Sequence, residues 1–246
     1  MIYETPEDDG GSPLPVDSQS SEYADAIVAS TEYPYFSKSR VKTAKTCMRS
    51  FYYQYVLGLR TDGNFYTKRG TRIHKAFENY YQRLTDAVEE GTFDREAAWT
   101  ADLMEYFGED DVGLWLDWID PFIHNFLKFE ERRLEHCLAH DVPLEKFVPY
   151  GVEVEGRKKV IVDGPEWMGY ADAILHAASV PEIDDTEGYV IVDFKTGKTP
   201  KKQYRDEGIF LEGTFYRELF KDEMDVVAVA GYFPMNDDFL ITPPSE

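Results

Sequence analysis

A short stretch late in the chain joins a strand-like run to two residues that could do chemistry. Val190, Ile191 and Val192 lead into Asp193, and Lys195 follows after one spacer. Side chains two apart in a strand point the same way, so Asp193 and Lys195 share a face. Metal-assisted cleavage of a phosphodiester needs a divalent ion and a positive group near the reacting oxygens. Taken alone, the triplet is equally consistent with a strand that merely meets solvent.

A second acid, Asp172, lies in the preceding strand-like segment, "MGYADAIL" at 168–175. If that segment pairs with the strand ending at Asp193, the two carboxylates and Lys195 converge. Magnesium takes hard oxygen ligands and few of them from protein, so such a pair could begin a metal site. His74 is a further candidate, although a lone helix histidine is more often packed in a core.

Hydrophobic spacing predicts the elements that would position these residues. Ser37 or Ser39 can cap a helix that stops near Gly58, and a second helix beginning near Lys68 carries His74. Helices before a mixed sheet, with one helix between its late strands, indicate an α/β or α+β fold. The remaining segments are helices at 94–107 and 114–139 (with Trp115, Trp118, Ile119, Phe122, Ile123 and Phe126 as core), a hairpin of 147–156 with 158–164, strands at 167–177 and 188–195, a helix at 202–220 and a last strand at 225–234.

Composition restricts the class of protein. Residues 1–36 are rich in acids, Ser, Pro and Gly and are expected to form an acidic flexible leader. No apolar run approaches the roughly 20 residues that span a bilayer, so we expect a soluble cytoplasmic protein without a membrane partner. Cys47 and Cys137 are the only cysteines, too few for an iron-sulfur cluster with four thiolate ligands.

The formal net charge of -21 argues against a nucleic-acid partner until its distribution is considered. Residues 38–75 hold ten basic residues against one acid, Asp62, and residues 195–205 hold five basic residues and no acid. The sign of the charge near a site matters more for steering a ligand than the sign of the net charge. Both windows adjoin the candidate chemical residues and could therefore bind phosphates.

Five segments, taken in order, resemble the motifs of the RecB-like branch of the PD-(D/E)xK nuclease superfamily. The resemblance implies a restriction-endonuclease-like core, with one nuclease domain at 37–240 that includes a helical region at about 86–140. Relatives that carry an iron-sulfur cluster have a cysteine near Cys47, but none follows Cys137, so we expect Cys47 to be a buried side chain. The segments are 37–59, 69–80, 168–175, 190–200 and 212–220.

The resemblance also implies roles for individual residues. His74, Asp172 and Asp193 match metal ligands, and the backbone carbonyl of Phe194 would add another. Lys195 matches the catalytic lysine, which acts with Asp193 and Asp172 and stabilises developing charge. Mg2+ or Mn2+ is the implied cofactor.

Other positions match less completely. Glu153 is a possible additional acid, and Glu155 competes for that place. Tyr216 matches the tyrosine of a QxxxY motif, but Glu212 replaces its glutamine, and a carboxylate cannot donate to phosphate and repels it.

DNA contacts are expected along the two basic windows, at Arg49, Arg72, Lys198, Lys201 and Lys202, together with Tyr216. Tyrosines of the first helix and the loop after it either stack bases or simply pack. These are Tyr52, Tyr53, Tyr55 and Tyr66.

The function that the resemblance implies is a metal-dependent deoxyribonuclease. Exonuclease action on DNA ends or single strands is expected, in recombination, repair or phage replication and with a helicase or recombinase as a possible partner. The alternative is a catalytically silent nucleic-acid-binding or scaffold subunit. A non-nuclease metal hydrolase would need more His or carboxylate ligands than the late strands offer.

Overall fold

A mixed β-sheet lies at the centre of the chain. The structure is a computed structural model that describes residues 35–59, 63–94, 109–159, 164–184, 187–201 and 211–242. Its strands are β1 (Tyr35–Phe36), β2 (Gly151–Lys158), β3 (Glu166–His176), β4 (Tyr189–Phe194), β5 (Val226–Phe233) and β6 (Asp238–Ile241). The β1–β3 and β4–β5 pairs are parallel, whereas β2–β3, β3–β4 and β5–β6 are antiparallel.

Helices cover both faces of this sheet, so the predicted α/β fold is confirmed. Phe77 and Phe126 stack with ring centroids 3.9 Å apart above Val192 on one face. Leu219 packs with Ile191 on the other face. Among the described helices, none has the length and apolar content to cross a membrane. The helices are α1 (Lys38–Thr46), α2 (Met48–Phe51) with a following π-helical turn (Tyr52–Val56), α3 (Phe65–Glu89), α4 (Glu109–Ala139), α5 (Leu144–Phe147) and α6 (Leu211–Phe220).

Strand β3 has two successive partners along one edge. Trp167 pairs with both β1 and β2, and Ala173 pairs with both β2 and β4. Because β2 runs along one edge throughout, β1 and β4 must share the other. Between these two pairings, residues 168–172 form no ladder pairs with a described strand along that edge. The sheet is therefore open beside Asp172.

Several expected boundaries are wrong. Lys158 does not begin a separate hairpin strand, because β2 continues to Lys158 and pairs with the 11-residue β3. Residues 160–163 of the expected second hairpin strand lie outside the described residues. Segment 225–234 is not the last strand, because the short strand β6 follows it and pairs with β5. Tyr35 and Phe36, assigned to the leader, belong to the sheet.

Other expectations fall partly outside the described residues. Phe122 and Phe126 are buried as predicted, but the side chains of Trp115, Trp118 and Ile119 lie outside the described part. The same holds for residues 1–34, for nearly all of the helix at 94–107, and for 202–210 of the helix that begins at Leu211 in the described chain.

Cys47 is exposed, which corrects the expectation of a buried side chain. It interrupts the predicted first helix, because its φ of -161° and ψ of 105° are extended and separate α1 from α2. An extended residue between two helices is not held on their packed face. Cys137, by contrast, is buried in the core beside α3.

Candidate active site

Asp172 and Asp193 meet where β3 and β4 pair. The ladder joins Ala173 to Val192, and one further step in this register sets Asp172 opposite Asp193. The Phe194 backbone N–H donates a hydrogen bond of 2.5 Å to Asp172 Oδ2. The expected pairing of these two strands is therefore observed, and the bond fixes the Asp172 carboxylate against β4.

His74 reaches Asp172 from α3. Ile73 and Phe77 are fully buried and set the rotation of this helix against the sheet. His74 Nδ1 then lies 3.3 Å from Asp172 Oδ1. Burial disfavours a charged imidazole, but the hydrogen bond and charge of Asp172, with Asp193 and Glu153 behind it, outweigh burial and raise the pKa of His74.

Glu153 joins them through an unusual backbone conformation in β2. Its φ of 50° is left-handed, which costs a residue other than glycine about 1–2 kcal/mol. Val152 packs in the core under α3 and α4, whereas Val154 packs in the core under α6, although alternation would place them on one face. The strand thus turns over at Glu153.

The site residues His74, Glu153 and Asp172 each present a ligand atom, and these atoms lie within 4.8 Å of one another. One imidazole and two carboxylates are a donor set that fits a divalent cation such as Mg2+ or Mn2+. Burial raises the pKa of Glu153 and the charge of Asp172 adds to the increase, while His74 opposes it. A cation bound here would relieve the repulsion between the two carboxylates.

The competing acid, Glu155, lies away from this cluster. It is exposed, and its carboxylate accepts hydrogen bonds from Arg157 and the Tyr170 hydroxyl. Of the two acids, Glu153 lies with His74 and Asp172, and its role as the additional acid stays a prediction. The alternation of side chains along β2 could not distinguish Glu153 from Glu155, because residues two apart in a strand are expected on the same face.

Asp193 and Lys195 form a second group, directed toward α6. Lys195 Nζ contacts the Asp193 carboxylate and lies 2.5 Å from Glu212 Oε2. Burial alone would lower the pKa of Lys195, but the two carboxylates raise it above its ordinary value. Lys195 is therefore a stable cation, suited to stabilising negative charge rather than to accepting a proton.

The Asp193 carboxylate is nearly buried and is not part of the three-residue cluster. Its Oδ1 accepts a hydrogen bond of 3.1 Å from the Tyr216 hydroxyl. Burial opposes ionisation, but Lys195 and Lys38 lower the pKa of Asp193. The predicted role of Asp193 as a metal ligand, like that of the Phe194 carbonyl, stays a prediction.

Glu212 lies between two lysines. Its Oε1 is 2.6 Å from Lys38 Nζ, and its other oxygen bonds Lys195. Two carboxylates, Asp193 and Glu212, thus balance two ammonium groups. The sequence analysis counted Lys38 in a basic window but missed its pairing with Glu212. The available signal was Glu212 itself, because an acid in place of the glutamine of the QxxxY motif indicates a cation opposite it.

The sequence profile of the PD-(D/E)XK nuclease superfamily matches residues 35–239. The chain belongs to the PD-(D/E)XK nuclease superfamily. No curated protein matches it. Nucleases of this superfamily generally use divalent metal ions such as Mg2+, and the cluster of His74, Glu153 and Asp172 offers ligands of that kind.

The residues predicted to contact DNA differ in their burial and in their position relative to this site. Tyr216 is buried with its hydroxyl on Asp193, so it belongs to the centre of the site. Lys198 and Lys201 are exposed on the segment after β4, which Thr199 ties to the β5–β6 turn by a hydrogen bond of 3.1 Å from its N–H to the Asn236 side chain. Arg72 is half-buried on α3, Arg49 is exposed beside Tyr53, and Lys202 lies outside the described residues.

Proposed function

We propose that this chain is a divalent-metal-dependent deoxyribonuclease that acts as an exonuclease on DNA ends or single strands. The observation that carries the proposal is the adjacency of two groups at one strand pair: the possible metal ligands around Asp172 and the cation Lys195 beside Asp193. A metal ion bound here would polarise a phosphate and lower the pKa of bound water.

The residues of the chain have distinct roles in this proposal. His74, Glu153 and Asp172 would hold the ion, and Asp193 would be a further ligand if its carboxylate separated from Lys195. Lys195 then faces the scissile phosphate and stabilises charge that develops on its oxygens. Tyr216 keeps the Asp193 carboxylate oriented through its hydroxyl.

The biological setting belongs to the same proposal. An exonuclease of this kind would trim DNA in recombination, repair or phage replication, with a helicase or recombinase supplying the strand. The exposed lysines Lys198 and Lys201 would attract phosphates toward the site.

End-labelled DNA tests the reaction. End-labelled linear single strands, blunt duplexes and an RNA of the same sequence would be incubated with Mg2+, Mn2+ or EDTA, beside an internally labelled circular single strand. We expect metal-dependent loss of the linear DNA, an intact circle and intact RNA. Cleavage of the circular strand would show that the activity is that of an endonuclease rather than an exonuclease.

Variants separate this reaction from a contaminant. Asp193→Ala and Lys195→Ala should each reduce the rate by about 100-fold or more. Lys221→Ala is a matched control, because Lys221 is exposed and pairs only with Glu218 on α6 among its described contacts. Equal rates for all variants, or no cleavage with either metal, would instead favour a catalytically silent DNA-binding subunit.

A further inference from the structure

A groove opens from the site along the uncovered edge of β3. Its volume is about 530 Å³, and residues of β1, α1, the π-helical turn, β3 and α6 line it. We call it the β3 groove and define it by Tyr35, Lys38, Arg40, Tyr55, Tyr170 and Tyr216. It exists because the pairings with β1 and β4 leave one edge of 168–172 without a ladder partner among the described strands, while β2 pairs along the other edge.

One end of the β3 groove meets the catalytic residues. Tyr216 lines the groove and donates its hydroxyl to Asp193. Lys38 also lines it, and the same ammonium group bonds Glu212, which holds Lys195. A molecule in the groove would therefore touch Tyr216, which bonds Asp193 directly, and Lys38, which is linked to Lys195 through Glu212.

The rest of the β3 groove combines aromatic rings with positive charge. Arg40 is only 4% exposed, and its guanidinium carbon lies 4.4 Å from the Tyr35 ring centroid and 5.0 Å from that of Tyr55. The Tyr170 ring is 44% exposed. Aromatic faces beside cations are the chemistry on which single-stranded nucleic acids stack.

The size and shape of the groove select among forms of DNA. A base can lie against a protein ring only if that face is not already stacked on a neighbouring base, so a duplex must first release it. A volume of about 530 Å³ is also typical of a site for a small molecule rather than of a duplex channel.

We propose that the β3 groove binds one unpaired nucleotide of the strand being cut, next to the scissile phosphate. The base lies on the tyrosine side, near Tyr170, and its phosphate lies at Lys38. This rests on the proposed nuclease function and deepens it, because it makes a single strand or a frayed end the substrate.

Binding without cleavage tests the groove independently of catalysis. A fluorescent twelve-nucleotide oligonucleotide would be titrated in EDTA and in Ca2+, and its anisotropy measured. Tyr170→Ala should weaken binding by about 10-fold, the usual effect of removing one stacking ring. Tyr170→Phe should bind as wild type does, although it loses the hydroxyl contact with Glu155.

Tyr150→Ala is the matched control. Tyr150 is likewise exposed, at 55%, but lies against Tyr189 at the opposite end of β4 from Asp193. It should bind the oligonucleotide as wild type does. Equal affinities for Tyr170→Ala, Tyr150→Ala and wild type would overturn the proposal, as would equal binding of a blunt duplex and a single strand.

A second measurement on the wild-type protein needs no variant. An abasic nucleotide would be moved through the oligonucleotide one position at a time. We expect a loss of affinity at one position, and no such loss in Tyr170→Ala at that position. If the wild type binds with the same affinity wherever the abasic nucleotide is placed, the proposal that the β3 groove binds a base is wrong. If affinity depends on that position but no DNA is cleaved, only the proposed nuclease function is wrong.

Discussion

Glu212 Oε2 lies 2.5 Å from Lys195 Nζ, and its second oxygen lies 2.6 Å from Lys38 Nζ. One carboxylate on α6 thereby holds a lysine from the end of β4 and a lysine from the start of α1. The side chains of Lys38 and Lys195 are 31% and 23% exposed, so the pairing is partly sheltered from water. Glu212 is therefore a structural partner of the proposed catalytic cation.

Glu212→Gln should destabilise the fold by about 2 kcal/mol, the scale of hydrogen bonds to charged groups. A glutamine amide can accept from one lysine but turns its NH2 group toward the other. Urea unfolding would measure the loss, and Lys38→Met combined with Glu212→Gln should recover part of it. Glu218→Gln, on the same helix, removes only the surface pairs of Glu218 and should cost less than about 1 kcal/mol. Equal costs for the two glutamine variants would contradict the sheltered pairing.

Asp172→Asn should abolish tight metal binding. Asp172 contacts both His74 and the Phe194 N–H, and a neutral amide contributes far less attraction to a cation. Calorimetric titration with Mn2+ should show affinity at least 10-fold lower than in wild type. Glu155→Gln is the control, because Glu155 is exposed and outside the cluster; a similar loss in that variant would argue against the proposed ligands.

The left-handed backbone conformation of Glu153 leads to a prediction about the stability of two variants. Glu153→Gly and Glu153→Ala both remove the carboxylate, but only alanine must still adopt a φ of 50°. The glycine variant should therefore be more stable than the alanine variant by about 1 kcal/mol, while both bind Mn2+ weakly. Thermal unfolding compares them, and equal stability would show that the left-handed conformation carries no cost.

The raised pKa of His74 predicts a pH dependence in the metal-free protein. A histidine whose pKa is higher in the folded state contributes stability that is complete below its unfolded pKa of about 6.5. That contribution is lost as the pH rises through the folded-state pKa. In EDTA, the stability advantage of wild type over His74→Gln should be full at pH values below about 6.5 and should shrink as the pH rises above that value.

Added Mn2+ should reverse this trend, because a metal ion binds the neutral imidazole and competes with its proton. Stabilisation by Mn2+ should therefore increase with pH in wild type and stay small in His74→Gln. A difference between wild type and variant that is constant with pH in EDTA would show that Asp172 does not raise the pKa of His74.

The fold class and the adjacency of Asp193 and Lys195 could be predicted because they depend on local pattern. The run ending at Asp193 and Lys195 reads as a strand with both side chains on one face, and Lys195 does contact Asp193. The apolar spacing around His74 predicted a helix, and His74 does lie on α3, next to the buried Ile73. Short-range periodicity is set by backbone geometry, which the residues around each position determine.

Contacts between distant segments were decided only by the tertiary structure. Glu153 and Glu155 are equivalent by alternation, and the choice between them depends on a left-handed residue at which β2 turns over. The pairing of Lys38 with Glu212 and the β3 groove depend on where β1 stops and β4 begins along β3. Strand register and packing involve the whole chain at once, so no local pattern of residues specifies them.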